Sequence, residues 1–424
     1  MGAIGVISDG LYSIDPNIGD YDNDKDELIA MAGTVGFEPP FDIKGNRITV
    51  EGKNFRYTDR KIRSIRSNPL NALPYDQIPR SVGGLTPIGT YFDGTIRPGT
   101  VFGTGPSGYR ANTTVDYGAL NAFVLVDSND QPRFPPRDGT EGTPESLTAN
   151  EVRIIIRNAL TIAFRARAQI RRPLGSHAQV TVSVVDTNGS ILGIARTPDG
   201  PVFGTDVSLQ KARTAAFFSN TNTAADLIRA NLGNYWLAAK AVLGPGALSD
   251  GTAFADRSGG NLSRPFFPDG IDGAPHGPFS KPFSEWSPFN VGLQLDLIAA
   301  NIVAHRSFLL GQSSTDTPMN CTPIPVRPQT SKSPVANGIQ IFPGSVPIYR
   351  NNTLIGGIGV SGDGIDQDDM ISFLGLHNAG LELGTGVGNA PRPIRADTVS
   401  YTHLRAHETG RISDAGVGLK KKRG

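Results

Sequence analysis

Val180-Thr-Val-Ser-Val-Val-Asp186 and Ile191-Leu-Gly-Ile-Ala-Arg196 are two runs of mostly apolar and β-branched residues, separated by a turn that contains Thr187-Asn-Gly189. Such runs favour strands, and an Asn-Gly pair between them is typical of a tight turn. The stretch therefore predicts a β-hairpin. Because a hairpin pairs its strands antiparallel, we expect the sheet built on it to be antiparallel as well.

Helices are predicted on both sides of this hairpin. Thr148-Ala-Asn-Glu151 is a capping-box pattern, in which the hydroxyl and the carboxylate each accept a hydrogen bond from the other residue's backbone N–H. Apolar residues at helical spacing follow, and Pro173 ends this helix near Arg172. A second helix is predicted from Ser208 to Ser219.

Further helices and a second hairpin are predicted in the region that follows. Helices are predicted over 224–243 and 293–309, with a loop rich in Gly, Pro and Phe over 244–291. A second hairpin is predicted from Val346–Tyr349 and Thr353–Val360, followed by a helix with an acidic start. The order of these elements predicts an α/β fold of the α+β type, in which helices flank an antiparallel sheet.

Composition excludes several classes of protein. The 424 residues include 40 basic and 39 acidic side chains, 51 Gly, 32 Pro and one Cys. The balanced charge argues against a general nucleic-acid binder, and a single cysteine cannot form an internal disulfide or a cysteine-based metal cluster. No run of apolar residues is long enough to span a membrane. The fraction of Gly and Pro indicates a globular chain with many loops.

Two distant segments of the chain resemble each other. Gly2-Ala-Ile-Gly-Val6 matches Gly356-Gly-Ile-Gly-Val360 at four of five positions, and Asp24–Gly33 shares the charge and apolar pattern of Asp366–Gly375. We interpret residues 1–40 as the remnant of a first module and residues 41–145 as a connector with short strands. These include a hairpin near Glu51-Gly-Lys53 and a strand over 122–127. Residues 146–399 form a second module with an insertion over 220–339.

The last residues have a different character. Ser400-Tyr-Thr-His-Leu-Arg-Ala-His-Glu-Thr409 resembles the translation of a sequencing adapter. We therefore expect residues 400–424 to be a non-native tail on a metagenomic fragment. The His403 and His407 pair, although spaced like zinc ligands, lies inside this tail and is not taken as a metal site.

Four blocks of the second module resemble the HbpS/GlcG-type haem-binding family. They are Val182–Asp186 with Gly189, Ala195-Arg196, Lys211-Ala-Arg-Thr-Ala-Ala216, and Gly356–Gly362 with Asp366-Gln-Asp368. Together they cover about 148–219 and 340–380 in the family's order, and residues 1–36 resemble the end of another copy. The resemblance implies a compact α/β unit that binds haem, in some members degrades it, and assembles into homo-oligomers.

The candidate site residues follow from this resemblance and from the chemistry of haem. A haem site needs an apolar slot, an axial ligand and cationic or N–H donors for the propionates. We predict that Lys211 or Arg213 holds a propionate, with Thr214 in the same site, and that His177 is a candidate iron ligand. Lys211 and Arg213 are two positions apart on a helix, so at most one of them faces a pocket.

Other readings of these residues remain open. His305 and His377 are alternative iron ligands, each histidine is otherwise a surface or structural residue, and an ion pair is the alternative role of the two cations. The Gly-rich segment 356–364 favours close strand packing over phosphate binding because it lacks the pattern of a nucleotide loop.

No catalytic motif or metal site is predicted. The resemblance implies haem binding and, for some members, haem degradation or redox sensing. A non-catalytic oligomeric scaffold without cofactor is the alternative function. A third hypothesis, an enzyme that acts on a small organic acid or corrinoid, is suggested by family neighbours.

Overall fold

The structure, a computed structural model, describes residues 4–6, 25–47, 49–50, 53–54, 56–74, 77–79, 81, 100–268, 270–286, 292–317 and 321–396. The chain divides into two compact units, residues 1–94 and 95–424. The predicted tail over 400–424 lies outside the described residues.

The first unit contains one helix and one short hairpin within its described ranges. Helix α1 spans Lys25–Gly33, and strands β1 (Thr49–Val50) and β2 (Lys53–Asn54) pair antiparallel where a hairpin is predicted. The Glu27 carboxylate in α1 accepts hydrogen bonds from the backbone N–H groups of Asp59 and Arg60. The segment over residues 2–6, which matches Gly356–Val360, falls partly outside the described residues, and residues 4–6 have no regular secondary structure. Short 3-10 helices lie at Phe41–Ile43, Gly45–Arg47, Ile62–Ser64 and Pro69–Asn71.

The second unit is built on a sheet that has seven strands within the described ranges, with every neighbouring pair antiparallel. In sheet order the strands are β3 (Tyr109–Ala111), β4 (Phe123–Leu125), β6 (Ile191–Arg196), β5 (Thr181–Val185), β8 (Thr353–Ser361), β7 (Ser345–Arg350) and β9 (Val387–Asn389). The two predicted hairpins are present as β5–β6 and β7–β8, and the predicted antiparallel sheet is confirmed.

Helices cover both faces of this sheet, as the fold class predicts. Helices α2 (Ala149–Arg165) and α8 (Ile365–Leu383) share one apolar core with Val182, Val184 and Val360 of the strands. Helix α3 (Gly204–Phe218) packs on the opposite face, where Leu209, Ala212 and Ala216 meet Val185. Four further 3-10 helices lie at Gly105–Ser107, Val115–Tyr117, Phe283–Glu285 and Arg392–Ile394.

The edge strands were not all anticipated. Strand β4 lies within the strand predicted over 122–127 and confirms it, although these residues are assigned to the connector. Strands β3 and β9 lie in segments for which no strand is predicted. Each of these two is three residues long, so the alternation of polar and apolar residues that would reveal it is too short to read. The sheet therefore includes strands that precede residue 146, the predicted start of the second module.

Helix α2 starts as predicted and ends earlier. Both hydrogen bonds of the capping box between Thr148 and Glu151 are present. The helix ends at Arg165, and Ala166 is already extended because residues 166–178 turn back on themselves, with Ala178 N donating to Ala166 O. The expected end near Arg172 is therefore wrong by about two turns.

Glycines of β8 let α3 approach the sheet. A Cβ on Gly359 would lie 2.1 Å from Ser208 O and 2.4 Å from Ala212 N, and one on Gly357 would lie 2.3 Å from Ala212 O. These atoms belong to the backbone of α3, so a side chain at either position would push the helix away. The preference for close strand packing over a phosphate loop is borne out at these two positions.

Residues 220–339, the predicted insertion, form most of a second apolar core, which lies against α3. The insertion contains α4 (Thr223–Arg229), α5 (Gly233–Leu243), α6 (Asp256–Leu262) and α7 (Gly292–Leu309), which share this core with Phe217 and Phe218 of α3. The single helix predicted over 224–243 is wrong. It is split because Asn231 takes a left-handed backbone conformation (φ 60°) before Gly233, and a left-handed residue cannot continue a right-handed helix.

No helix in the described ranges is both long and apolar enough for a membrane crossing.

Glu151 links the start of α2 to β7, and its charge should make the unit sensitive to acid. Arg350 donates to both carboxylate oxygens (2.9 and 2.8 Å), and the Thr148 N–H and the Thr385 hydroxyl also donate. Burial raises the pKa of Glu151, but these hydrogen bonds outweigh it and lower the pKa to about 2.

A glutamate with a lowered pKa stabilises the folded state above its ordinary pKa of 4.5, and this contribution is lost as the pH falls towards about 2. We expect Glu151→Gln to lower the free energy of unfolding at pH 7 by about 1–2 kcal/mol, allowing for solvent screening, and by less at pH 3. Urea denaturation at both pH values measures the difference. The exposed Glu285→Gln is the control, and an equal loss at both pH values in Glu151→Gln would contradict this assignment.

Candidate functional site

The helix that carries three predicted site residues begins earlier than expected. The turn over 201–203 runs directly into α3, with Gly204 N donating to Pro201 O and Asp206 N donating to Phe203 O. Ser208 is therefore not the cap, and its hydroxyl lies 2.8 Å from the Ser183 hydroxyl. As the eighth and tenth residues of a helix that starts at Gly204, Lys211 and Arg213 lie in its middle. The predicted start of this helix at Ser208 is therefore about one turn too late.

Lys211 is buried between α3, β8 and α8. Its side chain is 2% exposed, and Nζ donates to Val360 O (2.9 Å) and to Asp368 Oδ2 (3.0 Å). Asp368 also accepts from the backbone N–H groups of Gly362 and Asp363, so it holds the turn before α8. Burial raises the pKa of Asp368 to about 6, although Lys211 lowers it. The present contacts of Lys211 are those of an internal ion pair.

Two further carboxylates lie around this pair and connect the insertion to the sheet. Asp256 at the start of α6 is fully buried, and its Oδ1 accepts from Ser345 N (3.1 Å) of β7. Asp369 accepts from Arg257 Nε (2.8 Å). Burial raises the pKa of both aspartates, well above the ordinary value for Asp256. The acidic start of α8 thus contacts cations of α3 and α6 as well as the backbone at its own N-terminus.

Arg213 and Thr214 contact the end of the insertion. Arg213 donates from Nε to Gly189 O (2.9 Å) and from Nη1 to Asn337 Oδ1 (2.6 Å), and burial lowers its pKa to about 10. The Thr214 hydroxyl donates to Gln210 O and accepts from Gln340 N (2.8 Å). Lys211 and Arg213 thus have separate partners, as their helical spacing predicts, and their role towards a cofactor stays a prediction.

His177 lies just before β5 and is partly buried against Phe164, with ring centroids 4.8 Å apart. Nδ1 is 2.9 Å from Ala178 O, and Nε2 is 3.3 Å from Gln179 Nε2. A carbonyl oxygen only accepts, so Nδ1 carries the proton and Nε2 presents its lone pair towards the Gln179 amide. Histidines that bind metals have this arrangement, in which one ring nitrogen donates to the protein and the other is a base.

Arg196, at the end of β6, is a buried cation that is not among the predicted site residues. It is 1% exposed, and its Cζ lies 4.6 Å from the ring centroid of Tyr109 and 5.4 Å from that of Phe102. Its Nη1 has no hydrogen-bond partner among the described residues. Burial lowers the pKa of Arg196, opposed by its neighbours Tyr109 and Asp199. The sequence feature that points to Arg196 is an arginine at the end of an otherwise apolar strand.

Hydrogen bonds connect His177 to the turn that follows Arg196. Gln179, which contacts the His177 ring, accepts from Asp199 N through Oε1 (2.9 Å). Asp199 in turn accepts from Arg171 Nη1 (2.6 Å). We call the segments over residues 170–179 and 196–203 the sheet end. Its loops and turns also expose large apolar side chains, each about two-thirds accessible: Ile170, Leu174, Val202 and Phe203.

The other predicted ligands lie elsewhere. His305 is near the end of α7, where Nδ1 contacts Asp316 Oδ1 (2.7 Å), and His377 is exposed on α8. In the described part of the chain, no group of three or more His, Cys, Asp or Glu side chains is arranged to hold a metal ion. The sheet end is therefore the region where an imidazole, two arginines and exposed apolar side chains occur together.

The comparisons with known proteins agree with the family resemblance. Residues 299–376, from α7 to α8, match the family described as haem degrading protein HbpS-like. Similar solved structures include one titled "Crystal Structure of PduOC:Heme Complex" (17% identity, 58% of this chain and 99% of that chain, TM-score 0.27). Another is the Klebsiella pneumoniae protein ORFY of family DUF336 (16% identity, 57% and 94%, TM-score 0.27). No curated protein matches the sequence.

Proposed function

We propose that the unit over residues 95–424 binds haem at the sheet end. The match of residues 299–376 to a family of haem-degrading proteins supports haem as the ligand. The observation that supports this location is the buried Arg196 guanidinium with its unpartnered Nη1, at the same end of the unit as His177. A haem site combines a ligand for iron, cations for propionates and apolar side chains for the ring, and the sheet end offers each of these.

The residues have separate roles in this proposal. His177 Nε2 is the base that would bind iron, after the Gln179 amide moves aside. Arg196 and Arg171 are cations for the propionates, because a guanidinium binds a carboxylate with strong, directional hydrogen bonds. Ile170, Leu174, Val202 and Phe203 offer apolar surface to the ring. Haem would supply a redox-active iron, while the protein contributes binding, orientation and protection from water.

The earlier candidates on α3 have a structural role in this proposal. Lys211, Arg213 and Thr214 already donate to buried oxygen atoms of β8, α8, the β5–β6 turn and their own helix. To bind a propionate, Lys211 or Arg213 would have to leave these partners, and an unpaired buried carboxylate or carbonyl would remain. Arg196 needs no such exchange at Nη1.

Replacement of His177 tests the proposal. Titration of the protein with hemin should give a saturable shift of the Soret band, and His177→Ala should change the bound spectrum and weaken binding about tenfold or more. His305→Ala is the matched control, because this histidine lies on α7 and contacts Asp316. Unsaturable hemin uptake by the wild-type protein would refute haem binding. Equal spectra for the two variants would refute His177 as the ligand.

Haem degradation and assembly into homo-oligomers are further proposals that follow from the family resemblance. Degradation is tested by loss of the Soret band of the hemin complex in the presence of oxygen and a reductant such as ascorbate. The oligomeric state is tested by analytical ultracentrifugation with and without hemin.

A further inference from the structure

We propose that Arg196 is the receptor for a carboxylate group, and that Phe102 covers the entrance to this receptor. The carboxylate belongs either to a free organic acid or to a haem propionate. Only the haem case rests on the proposed function. The argument for the receptor comes from the burial and the contacts of Arg196.

A buried guanidinium normally has its hydrogens bonded and its charge paired, because an isolated charge in an apolar environment is strongly unfavourable. Arg196 departs from this rule. Nε lies 3.4 Å from Thr197 O, at the limit of a hydrogen bond, and Nη1 has no partner in the described part of the chain. The nearby Asp199 carboxylate is largely exposed and is paired with Arg171. The rings of Tyr109 and Phe102 stabilise the positive charge, and the Tyr109 side chain is also a hydrogen-bond partner of the guanidinium, but no carboxylate pairs with it directly.

A second unpartnered group lies beside Arg196. Thr181 of β5 is the register partner of Arg196, so both side chains project from the same face of the sheet, with Cβ atoms about 5 Å apart. Thr181 is fully buried, and its Oγ1 has no hydrogen-bond partner within the described ranges. The Thr181 hydroxyl and the Arg196 Nη1 group can each donate a hydrogen bond that no described residue accepts. Together they form a set of donors for an anionic oxygen.

The surroundings favour a small planar anion. A Cβ built on Gly200 would lie 3.4 Å from Arg196 Nη2, and the Tyr109 ring lies close to the guanidinium, so the guanidinium is closely packed on these two sides. The Tyr109 and Thr205 hydroxyls, 3.5 Å apart, add two polar groups nearby. A carboxylate is planar and can accept from an arginine in the plane of the guanidinium.

Phe102 is positioned to act as a cover. Its ring stacks on Phe123 and approaches Tyr109, with centroid distances of 5.7 and 5.5 Å, while its side chain stays about half exposed. It belongs to a turn in which Gly103 has a left-handed backbone (φ 86°). Movement of this one ring would open Arg196 to solvent without disturbing β6. We therefore expect Phe102→Ala to accelerate binding of the carboxylate.

The experiment uses two probes, acetate and hemin. Thermal unfolding is followed in acetate and in chloride at equal ionic strength, and hemin is compared with hemin dimethyl ester, in which both carboxylates are blocked. The proteins are the wild type, Arg196→Met and the control Arg133→Met, which removes an exposed arginine that lies over Phe134. Arg196→Met should fold, because replacing a buried charge with an apolar side chain of similar size is often tolerated.

We expect acetate to stabilise the wild type and Arg133→Met but not Arg196→Met. If hemin also binds about tenfold more tightly than its ester, and this preference disappears in Arg196→Met, the carboxylate is a propionate. Stabilisation by acetate without a preference for hemin over its ester identifies a free acid. If neither probe distinguishes Arg196→Met from the wild type, the receptor is refuted, whether or not hemin binds. If hemin and its dimethyl ester bind with equal affinity, the proposed function is not affected.

Discussion

Gly359→Ala should destabilise the second unit by about 3 kcal/mol or more, because the structure has no space for the added methyl group. The added Cβ would lie 2.1 Å from Ser208 O and 2.4 Å from Ala212 N, and both atoms belong to the backbone of α3. A flexible side chain could turn away from such a clash, but a helix backbone cannot. The helix would have to lift off the sheet and leave a gap along β8, where it loses packing contacts.

Urea denaturation followed by circular dichroism measures this effect. Gly388→Ala is a matched control, since Gly388 is also a strand glycine and a Cβ there meets no atom within 4 Å. We expect the midpoint of Gly359→Ala to fall well below that of Gly388→Ala. Equal midpoints would show that the close approach of α3 to β8 is not a requirement of the fold.

Lys211→Met should lower the free energy of unfolding by about 3–5 kcal/mol, the usual result when one member of a buried ion pair is removed. The substitution keeps most of the volume but leaves Asp368 without its ammonium partner. Burial already raises the pKa of Asp368 to about 6, and without Lys211 the pKa rises further. Asp368 then takes up a proton on folding, so the stability of the variant falls as the pH rises from about 4 towards neutral.

The loss should therefore be larger at pH 8 than at pH 5, and Asp368→Asn in the Lys211→Met background should restore part of it. Thermal unfolding at both pH values checks this. Lys240→Met is the control, because it removes a lysine that lies over Trp236 and is not part of the Lys211–Asp368 ion pair. A Lys211→Met protein as stable as the wild type, but unable to bind hemin, would instead support the ligand role first predicted for Lys211.

The parts of the fold that depend on local patterns are the ones that the sequence predicts well. The capping box at Thr148 and the hairpin at Asp186–Ser190 are formed by residues within a few positions of each other, so their chemistry is visible in the sequence. The antiparallel sheet follows from the two hairpins. Early termination of α2 and the break at Asn231 depend on tertiary contacts and on one left-handed residue, which periodicity does not reveal.

The candidate site could be predicted only in part for the same reason. Lys211 and Arg213 stand out in the sequence as cations in a recognisable block, yet their partners Asp368 and Asn337 are more than a hundred positions away. Arg196 lies in one of the blocks that resemble the haem-binding family, but its importance comes from Tyr109 and Phe102, which lie in the region interpreted as a connector. Whether a cation is already paired is a property of the fold, so sequence alone cannot rank these residues.

The most direct test of the account is a titration of the wild-type chain with hemin at micromolar concentration, followed by absorption. Haem binding by the second unit predicts a Soret band that shifts and saturates at one hemin per chain. A hemin spectrum that increases linearly without saturation, and that is the same with folded and urea-unfolded protein, would contradict it.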